Sequence, residues 1–188
     1  MKNLIQFLNS IHPLSIELQN HLFKILKHRD ISKKELLLHQ TQTCKHIYFI
    51  EDGLFRCYHI NEEGKEICSW FMKTGDVIIS VESFFKQKPS LENIQALEKS
   101  SVYFISYEEL SQTYQQFPEF NITARILTEY YYCQSEQRLF WLRCTKAKER
   151  YRLLAENYPE LIQLVNSKHI ASFLGITLET LSRLKSKR

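Results

Sequence analysis

The side chains best suited to specific chemistry lie near the carboxyl end of the chain, where Glu179 and Arg183 are four residues apart. On a helix this spacing places both side chains on one face. The planar guanidinium of Arg183 matches the two acceptors of a guanine edge, and the carboxylate of Glu179 matches the amino group of a cytosine. The pair therefore predicts a helix whose outer face reads base pairs in a DNA major groove.

The surrounding residues predict a helix-turn-helix that would present this face. Ser167 is suited to cap the first helix, and Ala171 is small enough for a second helix to cross closely. Gly175 provides the positive φ of a sharp turn, and Thr177 then caps the second helix. The apolar residues that the two helices share are Ile170, Leu174, Ile176, Leu181 and Leu184. An ordinary αα-hairpin can have the same small residue and glycine turn, so that alternative stays open.

Charge is concentrated in the same region. Residues 146–188 contain nine lysine or arginine residues and four glutamates, a balance of +5 in a chain whose net charge is +4. A local basic excess is typical of a module that meets phosphates. The residues predicted to contact phosphate are Lys168, Thr177, Ser182, Lys185, Lys187 and Arg188.

Composition limits the remaining classes of function. A chain of 188 residues with 44% hydrophobic and 24% charged residues is typical of a globular protein with one core and a smaller second unit. It has no apolar run near the roughly 20 residues of a membrane helix and no secretory signal, so we expect a cytoplasmic location and no membrane partner. The five scattered cysteines predict no metal site. No nucleophile elbow or phosphate loop is present, so we expect no enzyme activity and identify no cofactor.

Upstream of the motif, the periodicity changes from helical to extended and back. Helices are predicted over 2–9 and 15–28, and strands over 46–51, 54–60, 66–72, 77–80, 94–97 and 102–106. Asp52-Gly53 is predicted to join the first two of the listed strands as a tight hairpin, and Asn61 to Lys65 the next two as a longer one. Short strands at such regular spacing predict an antiparallel sandwich or roll. Helices return at 107–116, 120–144, 146–158 and 160–165.

The helix predicted over 120–144 has residues at alternating spacings of four and three, which is the seam of a coiled coil. The seam residues are Ile126, Tyr130, Cys133, Gln137, Phe140 and Cys144. A helix lying across the sheet of its own subunit is one interpretation. We favour a dimerisation helix, because a helix-turn-helix usually reads paired half-sites by two-fold symmetry.

In this order of elements the whole chain resembles the bacterial family of the cyclic-AMP receptor protein and the fumarate–nitrate regulator, the Crp/Fnr family. The motifs that carry the resemblance are Ile47–Gly53 with Leu54–Tyr58, the turn Gly75-Asp76, and Glu179–Arg183. The resemblance implies an α+β fold with an N-terminal antiparallel β-roll (a jelly roll like cyclic-nucleotide-binding domains), flanking helices, a long dimerisation helix and a C-terminal helix-turn-helix. It implies a sensor roll over 1–118, a dimerisation helix over 119–145 and a DNA-binding domain over 146–188. Leu178, where the family often has arginine, would contact a thymine methyl.

The resemblance also implies an effector, but the sequence departs from the family pattern where cyclic nucleotide binds. Val81 replaces the glycine before Glu82, and residues 89–97 contain no arginine or lysine to pair a cyclic phosphate. A phosphate without a cationic partner in an apolar roll would be costly to desolvate, so we expect a different small-molecule effector or none. Lys86 and Lys88 could supply the cation instead, which leaves a cyclic nucleotide as the alternative effector. The residues predicted to line the effector pocket are Tyr58, Trp70, Glu82, Tyr130 and Tyr131.

A second departure lies after the predicted recognition helix, where family members commonly continue into a β-hairpin wing. The given sequence has only Lys185 to Arg188 there, which predicts a helix-turn-helix without a full wing. The expected function is a homodimeric transcriptional regulator, with double-stranded DNA, a second copy of the chain and RNA polymerase as partners. The alternative is a sensor or interaction module of the same fold that does not bind DNA.

Overall fold

The structure is a computed structural model that describes residues 1–186. It divides into two compact units, the first formed by residues 1–57 and 71–130 and the second by residues 58–70 and the chain from 131 onwards. Within residues 1–186, no helix combines the length and the apolar character needed to cross a membrane.

Eight strands in the described residues form two sheets of four strands each. The first sheet has the order β1-β8-β3-β6 and the second β2-β7-β4-β5. The strands are β1 Lys27–Ile31, β2 Leu36–Leu38, β3 His46–Asp52, β4 Leu54–Ile60, β5 Glu66–Lys73, β6 Val77–Ile78, β7 Asn93–Ala96 and β8 Ser100–Ser106. Neighbouring strands are antiparallel wherever their register is resolved. The predicted α+β fold with an antiparallel roll is therefore confirmed.

Nine helices in the described residues flank and follow the sheets. They are α1 Lys2–Ile11, α2 Ile16–Ile25, α3 Val81–Lys86, α4 Tyr107–Gln116, α5 Phe120–Cys144, α6 Ala147–Asn157, α7 Pro159–Leu164, α8 Ser167–Leu174 and α9 Leu178–Ser186. Helix α5 has the predicted bounds, because Pro118 precedes it and the following 25 residues contain neither glycine nor proline.

Two predictions about the roll are wrong. Helix α2 ends at Ile25, and residues 27–31, partly assigned to this helix, form strand β1 against β8. Only Ile31 of this edge strand is buried, so β1 has no apolar alternation that the sequence could show.

The second wrong prediction is the hairpin at Asp52-Gly53. Strands β3 and β4 lie in different sheets, so Gly53 is the corner at which the chain passes from one sheet to the other. Its φ is +122°, and a Cβ there would overlap the side chain of Ser100. Glycine is required by this close approach as well as by the positive φ.

The core of the first unit lies between the two sheets and the amino-terminal helices. Its fully buried side chains include Leu18, Ile50, Phe55, Phe84 and Val102. In the second unit, Leu154 of α6, Ile170 of α8 and Leu181 of α9 are completely buried. These three side chains fix the helix-turn-helix on α6, and each contributes roughly 1.5–3 kcal/mol of burial free energy.

Candidate nucleic-acid interface

The turn between α8 and α9 has the conformation predicted for a helix-turn-helix. Gly175 is left-handed with φ +62°. The N–H of Ile176 donates to the carbonyl of Ala171 at 3.0 Å, and the N–H of Gly175 donates to the carbonyl of Ser172 at 3.0 Å. These two bonds form a Schellman motif, which satisfies carbonyls that the end of a helix leaves unpaired. The turn is therefore fixed by its own backbone.

Helix α8 is capped by Asn166, and the prediction that Ser167 is its cap is wrong. The side-chain oxygen of Asn166 accepts a hydrogen bond from the N–H of Lys168 at 2.9 Å. Asparagine caps a helix as well as serine does, so sequence alone did not separate the two positions. The hydroxyl of Ser167 instead accepts a hydrogen bond from the ammonium of Lys185 at 2.9 Å.

Helix α9 presents the predicted base-reading residues on its exposed face. Thr177 caps it as predicted, since its hydroxyl oxygen accepts a hydrogen bond from the N–H of Thr180 at 3.2 Å. Leu178 is 49% exposed, and Glu179 and Arg183 are exposed. The guanidinium of Arg183 donates to the Thr180 hydroxyl at 3.3 Å.

The start of α9 also keeps Glu179 ionised. A hydrogen bond from its own backbone N–H, then one from the Thr177 hydroxyl and the charge of Arg183, lower the pKa of Glu179 below its usual value. A carboxylate at a helix N-terminus is favoured for the same reason. At neutral pH this side chain can only accept hydrogen bonds, which is what recognition of a cytosine amino group requires.

The structure describes four of the six residues that were predicted to contact phosphate. Lys185 is half-buried, as expected from its bond to Ser167. The exposed members of the set are Lys168, Thr177 and Ser182. The predictions for Lys187 and Arg188 lie outside the described residues.

Helix α5 has two separate longitudinal stripes of residues. One stripe is buried or half-buried and consists of Thr123, Leu127, Tyr131, Gln134, Arg138 and Trp141. The other is the predicted seam, in which Ile126 is half-buried and the remaining members are exposed, namely Tyr130, Cys133, Gln137, Phe140 and Cys144. At about 100° of rotation per residue the two stripes lie roughly a quarter-turn apart. The helix can therefore pack on its own chain with one stripe while the other stays exposed.

The residues predicted to line an effector pocket are distributed over both units. Tyr58 is buried and Trp70 half-buried in the second unit, which also contains Tyr131. Glu82 and Tyr130 belong to the first unit and are exposed. Glu82 forms ion pairs with Lys88 at 2.6 Å and Lys86 at 3.0 Å, and these bonds lower the pKa of its carboxyl.

Comparisons with known proteins agree with this architecture. Residues 28–117 match the family described as cyclic nucleotide-binding domain. The chain is 27% identical over 171 residues to the fumarate and nitrate reduction regulatory protein of Vibrio cholerae, covering 85% of this chain and 68% of that protein. FixK2 from Bradyrhizobium japonicum has a similar structure, with a TM-score of 0.71, 19% identity and coverage of 87% of this chain and 84% of that one. CLP, the c-di-GMP responsive global regulator of Xanthomonas campestris, also has a similar structure, with a TM-score of 0.73 and 14% identity. The match covers 92% of this chain and 91% of that one.

The chain is therefore similar to transcriptional regulators of the Crp/Fnr family, and it shares the cyclic nucleotide-binding domain of its roll with them. In the segment around α3, Val81 precedes Glu82, and the carboxylate of Glu82 is paired with two lysines at the surface. The hydroxyl of Ser83 is buried nearby and accepts a hydrogen bond from the backbone N–H of Cys44 at 2.8 Å. Ser80 and Ser90 share a hydrogen bond at 3.0 Å.

Three side chains that hold the helix-turn-helix were not identified from the sequence. Arg138 of α5 donates to the carbonyl of Phe173 at 2.8 Å, and Arg150 of α6 donates to the carbonyl of Leu174 at 2.8 Å. Ser172 bonds to the backbone of strand β5. All three contacts join segments that are distant in sequence, so no motif or periodicity within a short stretch of sequence indicates them.

A buried arginine in the roll was missed as well. Arg56 of β4 is only 3% exposed, and its guanidinium donates to the amide oxygen of Gln95 on β7 through Nε at 3.0 Å and Nη2 at 2.7 Å. Its neighbours Phe55 and Cys57 are buried too, so Arg56 is one charged residue within an otherwise apolar run of buried residues. Such a residue is easily taken for an exposed one from sequence alone.

Proposed function

We propose that the chain is a homodimeric, DNA-binding transcriptional regulator in which α9 enters the major groove. The observation that carries the proposal is the exposed face of α9, where the ionised Glu179 and Arg183 lie one turn apart on a helix fixed by the Gly175 turn and the Thr177 cap. Arg183 would donate to a guanine, Glu179 would accept from a cytosine, and Leu178 would touch a thymine methyl. Similarity to transcriptional regulators favours this function over a sensor or interaction module without DNA binding.

Phosphate contacts would orient the module on the duplex. Lys168 at the start of α8 and Thr177 at the start of α9 lie at helix N-termini, where backbone N–H groups also favour anions. Ser182 and Lys185, with Lys187 and Arg188, complete the proposed set. These contacts would carry affinity and its dependence on salt, and the three base-reading residues would carry specificity.

We propose that two copies pair through the seam of α5. The helix has 25 residues, but only Phe120 and Thr123 are buried within the chain. Phe140 is 59% exposed, and it shares the seam with Cys133, Gln137 and Cys144. An exposed stripe of this kind is stabilised when it packs against a second helix, and the two-fold axis would pair the recognition helices.

The proposed division of labour follows the predicted regions. Residues 1–118 would sense an effector, residues 119–145 would dimerise, and residues 146–188 would bind DNA in the cytoplasm, with RNA polymerase as a further partner. The effector would be a small molecule other than a cyclic nucleotide, or the chain would act without one, because residues 89–97 contain no arginine or lysine to pair a cyclic phosphate. We assign the chain no catalytic activity.

Enrichment from a random duplex pool tests the proposed function. The purified protein should enrich an inverted repeat, and its affinity should fall by about 10³ or more between 50 and 200 mM salt if six or more phosphates are contacted. Enrichment of no sequence, together with no measurable binding to random duplex at 50 mM salt, would contradict it.

A further inference from the structure

The last turn of α8 is held by two arginines from outside the helix-turn-helix. The guanidinium of Arg138 lies 3.5 Å from the centre of the Phe173 ring and donates to the carbonyl of the same residue at 2.8 Å. Arg150 donates to the carbonyl of Leu174 through Nε at 2.8 Å and to the carbonyl of Thr145 through Nη1 at 2.6 Å. Both cations therefore lie at the negative end of α8, where the helix dipole favours them.

One arginine connects the turn of the motif to α5, and the other connects it to the residue that follows α5. Arg138 lies in α5 itself, in the same turn as the seam residues Gln137 and Phe140. Arg150 reaches from α6 to Thr145, the residue that follows the last residue of α5. The turn before Gly175 is thus tied directly to the segment that we propose as the dimer seam.

The geometry at Arg138 is specific to arginine and costly to maintain. Its planar guanidinium stacks on a ring and bonds a carbonyl at the same time, which an ammonium does less well. Burial lowers the pKa of Arg138 to about 10, and among the residues that the structure describes no carboxylate forms an ion pair with it. An apolar side chain of similar length would fill the same space without the cost of desolvating a charge.

We propose that Arg138 is a positioning residue that sets the separation of the two recognition helices in the dimer, and with it the spacing between operator half-sites. This inference rests on the proposed function. A dimer of a helix-turn-helix protein reads two half-sites whose spacing matches the distance between its recognition helices. Because the clamp joins the seam turn of α5 to the end of α8, loosening it would let each α9 take a range of positions relative to the two-fold axis.

The test compares the spacing preference of variants with that of the unaltered protein, where spacing preference is the ratio of the affinities for duplexes with different half-site separations. A loss of stability alone would not change this ratio. The probes are duplexes that carry two copies of the half-site enriched by the unaltered protein, with their separation varied in steps of one base pair over one helical turn. The unaltered protein should prefer one spacing. Arg138→Met should lower that preference by about ten-fold, the effect expected from the loss of one hydrogen bond made by a charged group, while it retains the affinity for a duplex with a single half-site. Arg143→Met, which replaces an exposed arginine of the same helix, is the control and should keep the original preference.

Each outcome decides between the proposals. A folded, dimeric Arg138→Met protein with an unchanged spacing profile would overturn the role of Arg138, and so would an equal broadening by Arg143→Met. If Arg138→Met does not fold, Arg138→Lys takes its place and must broaden the profile, since an unchanged profile would overturn the role. An unaltered protein that binds no duplex would overturn the proposed function and the spacing role together.

Discussion

The hydroxyl of Ser172 accepts a hydrogen bond from the backbone N–H of Cys68 at 2.9 Å and donates one to the carbonyl of Glu66 at 3.2 Å. Strand β5, which contains Cys68, is the last strand of its sheet, so these backbone groups face no further strand. A side chain of α8 thus takes the place of a neighbouring strand. The contact protects an edge that would otherwise pair with another chain.

Ser172→Ala should destabilise this contact locally. The N–H of Cys68 and the carbonyl of Glu66 would lose their partner, which costs about 1–3 kcal/mol when a buried group stays unpaired. Hydrogen exchange read by mass spectrometry should show faster exchange in residues 66–70. Ser135→Ala, at an exposed serine of α5, is the control, and equal effects of the two substitutions would argue against the edge contact.

Gly175→Ala should lower the free energy of unfolding by about 1–2 kcal/mol, the cost of a left-handed residue with a Cβ. The added Cβ would lie 3.6 Å from Cδ2 of Leu142, an ordinary contact, so backbone strain is the expected cause. Gly175→Asn should cost less, since asparagine adopts this conformation more readily. Urea denaturation measures both, and an alanine variant as stable as the unaltered protein would contradict the strain.

Arg183→Ala should weaken binding to the enriched sequence by about 1–3 kcal/mol and hardly change binding to random DNA. Lys168→Ala is the comparison. It should weaken binding to the enriched sequence and to random DNA about equally, and it should reduce the slope of log affinity against log salt concentration by about 1. Competition binding at several salt concentrations separates the two patterns. Equal losses on both DNAs for Arg183→Ala would show that this side chain contacts only the backbone of the duplex.

Phe140→Glu should dissociate the dimer, because two carboxylates would face each other across the proposed seam. Tyr132→Glu is a matched control, since Tyr132 is 65% exposed on the same helix but lies on neither stripe. Analytical ultracentrifugation should find a monomer for the first variant and a dimer for the second. Dimers of unchanged stability for Phe140→Glu would place the interface elsewhere.

The stability contributed by Glu109 should disappear in acid. Burial disfavours its charge, but hydrogen bonds from the Lys27 ammonium and the Ser106 backbone outweigh that effect and lower the pKa of Glu109 below its usual 4.5. A lowered folded-state pKa adds stability that is present above the unfolded pKa and lost as the pH falls through the folded pKa. Glu109→Gln should therefore destabilise the protein by up to about 1 kcal/mol at pH 7, because the ion pair with Lys27 is lost, and by progressively less below pH 4.5.

Thermal unfolding between pH 3 and pH 7 measures this dependence. Glu108→Gln, at the exposed neighbouring glutamate, should show no such change in its effect. A destabilisation by Glu109→Gln that stays constant over the whole range would contradict the assigned charge.

The helical half of the fold was predictable because its signals are local. Pro118 precedes α5, Gly175 ends α8 and Thr177 caps α9, and each acts through the backbone of its immediate neighbours. The hairpin at Gly53 was mispredicted for the opposite reason. A glycine with positive φ marks a turn, but whether the flanking strands pair depends on which sheet each joins.

The candidate site divides in the same way. The outer face of α9 follows from helical periodicity, so Glu179 and Arg183 could be found from their spacing. Arg138 and Ser172 could not, because their partners lie 35 and 104 residues away along the chain. Contacts of that separation depend on the packing of whole elements and leave no trace in a short window of sequence.

The two stripes of α5 restrict how this helix can change in length. Inserting one residue would turn everything after it by about 100°, which would bring the seam residues close to where the packed stripe, including Arg138, had been. Insertions or deletions of about seven residues, two full turns, would preserve both stripes. Relatives that keep this architecture should therefore differ in α5 by whole heptads or not at all.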